Sequence, residues 1–303
     1  MDQQLMSFVT VADCRSFTKA AEVLHTTQPA VSQNIQNLER RLNVKLLERS
    51  NKFVGLNKAG EVVYHYAKEI LHLYGQMTRM VGDLMNEPSG PLTIGSSLTF
   101  GEYVLPHALS EFLQQFPDIR PSISIENTRD VVEHVASGLL DVGIIEGTHD
   151  NEDVEVVDFA DDTVLIVACA GHPLSKVAPS DVASIVEQLS QETWIVREPG
   201  SGTREVTEST LSKYNIRPSN LMEFGSLQVI KESVEAGLGV TVLSKWVIRK
   251  ELALGTLTPI EVGVEPTRRN FSVVLKKTDF RTKSTQLFAD FLKDEAAAFM
   301  NLA

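Results

Sequence analysis

The stretch TTQPAVSQNIQNLERRL, residues 26–42, combines an apolar stripe at helical spacing with a face of hydrogen-bonding side chains. Thr27 is placed to cap this helix, and Pro29 falls in the first turn, where its missing N–H costs nothing. Spacings of 4, 3 and 4 predict a buried stripe that consists of Val31, Ile35, Leu38 and Leu42. The opposite face carries Gln28, Ser32, Gln33, Gln36 and Asn37.

This polar face has two interpretations. Gln and Asn side chains pair bidentately with adenine, and Ser bonds base edges or phosphates. A helix that presents such residues from its N-terminal half suits a recognition helix in the major groove of DNA. The alternative is a face that is merely solvated, and the pattern alone leaves both readings open.

The flanking segments complete a small helical domain with a β-wing. One helix is predicted from the helical spacing of Leu5, Phe8, Val9 and Ala12. A second helix over SFTKAAEVL, residues 16–24, has Ser16 or Thr18 as N-cap and three inward residues, Ala20, Ala21 and Leu24. After the polar helix, residues 44–60 predict two short strands around a tight turn at residues 50–52. Such a wing reaches phosphates or an adjacent minor groove.

The net charge of −12 conceals an uneven distribution. Residues 1–87 hold 10 Lys and Arg against 9 Asp and Glu, whereas residues 88–303 hold 18 against 31. Within residues 15–58 the balance is 8 basic against 3 acidic, a net of +5. The N-terminal segment is therefore a local basic island, which is the electrostatic footprint of a DNA-binding surface.

Residues 8–61 resemble the winged helix-turn-helix of LysR-type transcriptional regulators. The matching pieces are SFTKAAEVL, TQPAVSQNIQNLE, LLER and an L-x-x-A-G motif that opens the next helix. Many members have Thr where this chain has Asn57, and Asn caps equally well. The resemblance implies that Arg49 holds a phosphate and that Asn51 and Lys52 form the wing tip. The full implied DNA-contact set is Thr27, Gln28, Pro29, Ala30, Ser32, Gln33, Gln36, Arg49, Asn51 and Lys52.

A long helix is predicted from Lys58 to about Glu87, a segment without proline. At 1.5 Å per residue it spans roughly 42 Å. Alternating spacings of 4 and 3 form a heptad seam of Tyr66, Ile70, Leu73, Met77, Met80 and Leu84. Such a seam favours a homodimer, which would present two recognition helices to a pseudo-palindromic site. Packing of this helix on its own domain is the alternative.

Beyond the linker NEPSGP, residues 86–91, the pattern changes to alternating strands and helices. This rhythm predicts an α/β domain with a mostly parallel sheet, arranged as two lobes around a cleft. The predicted domains are a winged helix-turn-helix over 1–58, a dimerisation helix over 59–87 and an effector-binding domain over 88–303. Lobe I covers about 91–162 and 267–303, and lobe II covers about 163–266.

Ligands of open α/β sheets bind beyond the carboxyl ends of the strands, and those ends are rich in hydroxyls and glycines here. Free amides at helix N-termini favour an anion. The candidate effector-binding residues are Ser97, Thr99, Phe100, Gly147, Arg197, Ser201, Gly202, Thr203, Gly225 and Ser226. Alternatives stay open: the glycines permit turns, Ser97 and Thr99 cap a helix, Phe100 lies in the core, and Arg197 and Arg204 pair with nearby acids.

The C-terminal part also resembles the effector-binding domain of LysR-type regulators, which shares the periplasmic-binding-protein-like fold. The loop REPGSGTR, residues 197–204, is similar to the subgroup that governs carbon-dioxide fixation and some sulfur-assimilation operons. The resemblance implies promoter DNA, a small anionic metabolite, a homodimer or homotetramer and RNA polymerase as partners. Dimer and tetramer are not distinguished.

Other function classes receive little support. The glycine-rich loop 199–203 lacks the lysine of a P-loop, no G-x-S-x-G or H-E-x-x-H motif occurs, and the seven histidines are scattered. We therefore expect no catalytic residues, no metal and no cofactor. Two distant cysteines suit a reducing cytosol. A solute receptor or an enzyme using loop 199–203 is the alternative, and the absence of a signal-peptide pattern and of an apolar membrane-spanning run predicts a cytoplasmic protein.

Overall fold

The computed structural model describes residues 2–50, 53–83, 88–147, 151–263, 267–278 and 280–295. For Asp2, Arg49, Ser50, Phe53 and Asp83 only the backbone is described. The chain divides into two compact units, Met1–Met85 and Asn86–Ala303. No helix in the described ranges is long and apolar enough to cross a bilayer.

The first unit is the winged helix-turn-helix that the sequence predicts. Its elements are α1 (Asp2–Cys14), α2 (Phe17–Val23), α3 (Gln28–Leu42), β1 (Leu47–Ser50), β2 (Phe53–Leu56) and α4 (Lys58–Asp83). Its core buries Phe8, Ala20, Val31, Ile35 and Leu38 among others. Ser16, rather than Thr18, caps α2 by accepting a hydrogen bond from the Lys19 amide. The two wing strands pair antiparallel, with Ser50 opposite Phe53.

One residue of the predicted apolar stripe in α3 is not buried. Leu42 is 43% exposed because α3 ends there, with Asn43 in the left-handed conformation at φ 53°. Glu39 occupies the buried position instead, and its carboxylate accepts hydrogen bonds from the Leu46 amide (3.0 Å) and the Lys45 ammonium (2.7 Å). The buried Glu39 carboxylate is stabilised because both of its donors belong to the segment that leads into β1.

Helix α4 has one face packed on the core and another face exposed. One face packs on the core of the first unit through Ala59, Val63, Ala67 and Leu71. Much of the seam predicted from the heptad spacing is exposed, with Tyr66, Ile70, Leu73 and Met77 between 44% and 58% accessible. Met80 is half-buried, and Leu84 lies outside the described residues.

The second unit consists of two α/β lobes. Lobe I contains β3 (Gly90–Ser96), α5 (Leu98–Tyr103), α6 (Leu105–Gln115), β4 (Ile119–Ile125), α7 (Thr128–Ser137), β5 (Val142–Glu146), part of β6 (Val154–Cys169), β11 (Thr267–Lys276) and α12 (Lys283–Asp294). Lobe II contains the rest of β6, a 3-10 helix (Pro173–Lys176), α8 (Val182–Gln191), β7 (Thr193–Val196), α9 (Gly202–Lys213), β8 (Asn220–Glu223), α10 (Leu227–Glu235), β9 (Thr241–Ser244), α11 (Lys245–Leu254) and β10 (Leu257–Ile260).

The long strand β6 runs through both lobes. Its residues from Val154 to Val164 pair with β11, and from Val164 onward it pairs with β9 and β10. These pairings are antiparallel, whereas β3 is parallel to β4 and β5, and β7 is parallel to β8. The sheet is therefore mixed rather than mostly parallel, because β6 and β11 cross between the lobes without an intervening crossover helix.

Each lobe has its own core. Lobe I buries a group of aromatic side chains, in which Phe100, Phe112, Phe271 and Phe288 are fully inaccessible. Lobe II packs around Trp194, whose indole N–H donates to the Leu189 carbonyl at 2.8 Å. Helices α8 and α11 and strand β10 of lobe II were not predicted from the sequence. The two cores also touch: Trp246 of α11 packs in the lobe I core, and Leu98 and Tyr103 of α5 pack against a second hydrophobic cluster of lobe II.

Candidate functional sites

The N-terminal half of α3 presents its polar side chains to solvent. Thr27 occupies the N-cap position in an extended conformation, without a side-chain capping bond. The exposed residues of the predicted contact set are Thr27, Gln28, Pro29, Ala30, Gln33 and Gln36, and Ser32 is half-buried. Gln28 donates to the Ser32 hydroxyl and Gln33 to the Asn37 carbonyl oxygen, both at 2.9 Å. These bonds hold the side chains along one face without removing their outer polar atoms from solvent.

Only part of the wing is described in the structure. Arg49 lies in β1 with only its backbone described, and Asn51 and Lys52 lie outside the described residues. Asn57, where many similar sequences have Thr, accepts from the Gly60 amide at 2.8 Å and donates to the Lys45 carbonyl at 2.9 Å. It therefore caps α4 as predicted and also ties that cap to the segment before β1.

Between the lobes lies a buried group of three charged residues, Glu146, Asp162 and Arg269, which we call the ion cluster. Arg269 on β11 is directly opposite Asp162 on β6 in the strand register. Its guanidinium lies 2.7 Å from a carboxylate oxygen of each acid. The side chains of all three are at most 4% exposed. Two negative charges therefore surround one positive charge in a place that water hardly reaches.

Glu146 occupies the position that the sequence assigned to an anionic ligand. Its Oε1 accepts from the Ser97 hydroxyl (3.0 Å), the Thr99 amide (2.8 Å) and the Phe100 amide (3.3 Å). These donors lie at the start of α5, directly after β3. The donors are thus arranged for a carboxylate, and in this structure the protein supplies that carboxylate from the end of β5.

Lobe II reaches the ion cluster through the first turn of α9. The Arg269 guanidinium donates to the Thr203 hydroxyl at 3.3 Å and to the Thr99 hydroxyl at 3.1 Å. Thr203 in turn donates to Glu146 Oε2 at 3.4 Å. A Cβ on Gly202 would lie 2.3 Å from the Glu146 carbonyl oxygen, so this approach requires glycine. Ser201 caps α9 by accepting from the Thr203 amide at 3.2 Å.

The electrostatics of the ion cluster follow from burial. Burial raises the pKa of the Asp162 carboxyl, although Arg269 and the Ser244 hydroxyl, 2.6 Å away, stabilise its charged form. Burial alone would lower the pKa of Arg269, yet the adjacent Glu146 and Asp162 carboxylates raise it. The guanidinium is therefore a permanent charge that these partners hold in place.

Two further arginines, Arg197 and Arg204, form ion pairs outside the ion cluster. Arg197, which is buried, makes a bidentate contact with Glu198 at 2.7 and 2.5 Å. Arg204 binds Glu208 at 2.5 Å and Glu223 at 3.5 Å. Glu102 connects the two regions electrostatically: burial raises its pKa, Arg197 and Lys231 oppose the rise, and Glu146 adds to it.

In this structure the remaining candidate residues pack in a core, permit a turn or cap a helix. The Phe100 ring lies in the lobe I core, 5.1 Å from the Phe271 ring. Gly147 has φ 79°, which favours glycine. Ser226 caps α10 by accepting from the Val229 amide at 3.4 Å, and Gly225 precedes it near Glu198.

Sequence reasoning missed Asp162 and Arg269. One signal was present for the arginine: strand alternation places Arg269 on the same face as Phe271 and Val273. Both of those residues are buried. The partnership with Asp162 depends on strand register across more than one hundred residues, and no local pattern encodes it.

Comparisons with known proteins agree with both units. Residues 3–61 match the sequence profile described as bacterial regulatory helix-turn-helix protein, lysR family. Residues 85–297 match the profile described as LysR substrate binding domain. The HTH-type transcriptional regulator CysL of Bacillus subtilis is 34% identical over 289 residues, covering 95% of each chain. A probable RuBisCO transcriptional regulator of Porphyra purpurea is 34% identical over 292 residues, covering 94% of this chain and 91% of that protein.

Two solved structures extend these similarities. A full-length OxyR variant from Pseudomonas aeruginosa has a TM-score of 0.70 at 24% identity, covering 97% of this chain and 95% of its own, and it shows the shared fold. The CcmR regulatory domain from Synechocystis, solved in complex with 2-PG (2-phosphoglycolate), has a TM-score of 0.61 at 26% identity. It covers 71% of this chain and 99% of its own. The predicted resemblance to the subgroup that includes carbon-dioxide-fixation regulators is confirmed by the relatives CysL and the RuBisCO transcriptional regulator.

Proposed function

The chain belongs to the LysR-type family of transcriptional regulators, and we propose that a small anionic metabolite bound between its two lobes controls its binding to promoter DNA. The observation that carries this proposal is the buried site where amides, hydroxyls and Arg269 converge on a carboxylate. The family's members are regulators rather than enzymes, and this chain is no exception. Because its proposed partner is promoter DNA, we propose that it acts in the cytoplasm.

We assign the domains by their contacts. Residues 1–58 bind DNA, residues 59–87 form the dimerisation helix, and residues 88–303 bind the effector. The compact units that divide after Met85 support this assignment. The change of β6 partners at Val164 supports the boundary between lobe I (91–162 and 267–303) and lobe II (163–266).

The α3 face is proposed to read base edges. Gln28 and Gln33 are exposed near the N-terminus of α3, where a recognition helix contacts the major groove. Each lies one turn from a residue that it hydrogen-bonds, so that its amide is already oriented. Bases would compete for the outer atoms of these amides.

Replacing Gln28 and Gln33 together by Ala is expected to weaken binding to a fragment from upstream of its own gene. Each lost bidentate contact costs about 1–3 kcal/mol, so affinity falls roughly 30-fold or more. Fluorescence anisotropy at one fixed salt concentration measures this loss. The matched control, Gln114→Ala with Gln115→Ala, removes two exposed glutamines from α6. Equal affinities of the two double variants would contradict the assignment of α3 as recognition helix.

The anionic effector is proposed to compete with Glu146 for the same donors. Ser97, Thr99 and Thr203 would bind the effector, and Arg269 would supply its counter-charge. Displacing the Glu146 carboxylate would change how β5 and the first turn of α9 contact each other, and with that the angle between the lobes. A ligand that binds one arrangement better shifts the population toward it. Arg197, Gly225 and Ser226 are proposed as the outer wall of the cleft.

Thr203→Val is expected to weaken binding of 2-phosphoglycolate about tenfold while DNA affinity without effector stays near wild type. The substitution keeps the shape but removes a hydroxyl that would bond a charged group, worth about 1.5–3 kcal/mol. Isothermal titration calorimetry on the full-length protein measures this. Thr207→Val is the matched control, because that buried hydroxyl donates to the Thr203 carbonyl rather than to a residue of the ion cluster. If both variants bind like wild type, the site lies elsewhere.

The assembly is proposed to form through two kinds of surface. The exposed seam of α4 would pair with a second copy of itself. In the second unit, the edge strand β4 exposes Ile123 and Ile125, and the edge strand β8 exposes Leu221. Apolar edge strands are surfaces for pairing between chains, which would extend the dimer to a tetramer.

A further inference from the structure

Lobe II contains a cavity of about 350 Å³ that is separate from the ion cluster. We call it the lobe II cavity; its inner wall consists of Val164, Ile166, Val242, Ile260 and Val262. All five are buried side chains of the lobe II core. Thr210 of α9 and Tyr214, the C-cap of that helix, close one side. The volume is at the lower end of the range for small-molecule sites.

The interior of the lobe II cavity suits an apolar group. Aliphatic side chains from β6, β9 and β10 form most of its surface. The Thr210 hydroxyl already donates to the Val206 carbonyl at 2.7 Å. A polar group placed deep in this cavity would lose its bonds to water and find few replacements, which costs free energy. A phosphorylated metabolite is therefore a poor fit.

The mouth of the lobe II cavity is charged with both signs. Lys245 and Glu261 are the only exposed residues among those that line it, and they carry opposite charges. Neither is engaged in an ion pair with another described residue. A monoanion would be attracted by Lys245 and repelled by Glu261, and a simple amine would meet the reverse. A molecule with one charge of each sign satisfies both.

We propose that the lobe II cavity binds a small zwitterion with an apolar side chain, namely an apolar α-amino acid. The side chain enters the aliphatic interior, the α-carboxylate pairs with the Lys245 ammonium, and the α-ammonium pairs with the Glu261 carboxylate. This ligand differs in class from the anion proposed for the interlobe site, and it occupies a different place. The chain would then respond to two metabolites.

The lobe II cavity touches elements that also carry the ion cluster. Thr210 belongs to α9, whose first turn places Thr203 beside Glu146, and Tyr214 is the C-cap of that helix. Thr267, which lines the cavity, precedes Arg269 by two residues on β11. A bound amino acid therefore contacts two elements that also reach the interlobe site. By linkage, any preference of the amino acid for one lobe arrangement changes the affinity for the anion.

The test uses three probes that share one carbon skeleton. L-leucine carries both charges, 4-methylpentanoate lacks the ammonium, and 3-methylbutylamine lacks the carboxylate. Calorimetry on the full-length protein is expected to show leucine binding about tenfold more tightly than either analogue, since each lost charge-assisted bond weakens binding by about that factor. L-phenylalanine serves as a second zwitterion with a larger side chain.

Variants at the mouth give a residue-specific signature. Lys245→Met should weaken leucine binding about tenfold without weakening 3-methylbutylamine binding, and Glu261→Gln should weaken leucine binding without weakening 4-methylpentanoate binding. Each of these two analogues binds its variant as tightly as wild type or more tightly, because the like charge that repels it is gone. Both positions are exposed, so the fold should tolerate the changes. Lys250→Met is the control, because this exposed lysine lies on the same helix outside the cavity lining.

Three results would each overturn the proposal. The first is that neither leucine nor phenylalanine binds, and the second is that the two one-charge analogues bind as tightly as leucine. The third is that the two mouth variants bind leucine like the Lys250→Met control. Thr203→Val separates the two sites, because it should leave leucine affinity unchanged. A loss of leucine binding in that variant would place the amino acid between the lobes and refute a site in the lobe II cavity.

Discussion

Arg269→Met is expected to lower the free energy of unfolding by about 3–5 kcal/mol, the usual cost of removing one partner from a buried ion pair. Methionine fills a similar volume, so the loss is mainly electrostatic. Glu146 and Asp162 would remain buried without a counterion, and the hydroxyls of Thr99 and Thr203 would each lose a donor. Urea-induced unfolding of the full-length protein, followed by far-UV circular dichroism, measures the change.

The neighbouring residue provides the control. Arg268 is 69% exposed and lies 3.9 Å from Asp161, so Arg268→Met should change stability by at most about 1 kcal/mol. A triple variant, Arg269→Met with Glu146→Gln and Asp162→Asn, should recover most of the loss, because it removes all three charges together. Equal stability of the Arg268 and Arg269 variants would show that the ion cluster is not the electrostatic unit described here.

The pH dependence of the Arg269→Met variant has a definite sign. Burial already raises the pKa of Asp162, and removing the guanidinium raises it further. Between the unfolded pKa and this raised folded pKa, the folded state binds more protons than the unfolded state, so stability falls as pH rises through that window. The deficit of the variant relative to wild type should therefore shrink as the pH is lowered through the raised folded pKa of Asp162 toward its unfolded pKa.

Ile70→Glu combined with Leu73→Glu is expected to break the α4 pairing at micromolar concentration, which turns a dimer into monomers, or a tetramer into dimers that the edge strands hold together. The two side chains are 44% and 47% exposed within one chain, so the substitution leaves the core of the first unit intact. In the proposed dimer the same positions would bring like charges together in an apolar seam. Loss of the second recognition helix should weaken binding to a palindromic site by roughly 100-fold.

Sedimentation equilibrium tests the oligomeric state directly. The control is Lys68→Glu, which introduces the same side chain at an exposed position on the opposite side of α4 and should leave the assembly unchanged. A double variant that still sediments as the wild-type assembly would refute pairing through α4. A shift from tetramer to dimer, rather than to monomer, would show that the edge-strand contact forms without α4 pairing.

Local patterns predicted much of the first unit. The spacing of Val31, Ile35 and Leu38 predicted the buried face of α3, and the structure has them fully buried. The error at Leu42 arose where the helix ends, because periodicity does not report the position at which Asn43 turns the chain. Helix signals extend over a few residues, so a single sequence carries them.

Part of the candidate interlobe site was predicted from the sequence, and part is visible only in the tertiary structure. Hydroxyls and amides at the ends of β3 and at the start of α9 were identified from residue type and position alone. What they bind in this structure was not, because Arg269 comes from a strand more than one hundred residues beyond those of Glu146 and Asp162. The lobe II cavity was likewise not predictable from the sequence, since its walls come from β6, β9, β10 and α9.

The amino-acid sequence was sufficient for the helices of the first unit, the wing, the family and the polar nature of the interlobe cleft, because each depends on contacts within one element or on a contiguous motif. Strand register and lobe packing were needed to show that Arg269 is the cation of the cleft and that Glu146 already occupies its donors. The physical reason is that a buried charge is stabilised by whichever opposite charge the fold brings within about 3 Å, and sequence separation does not report that distance.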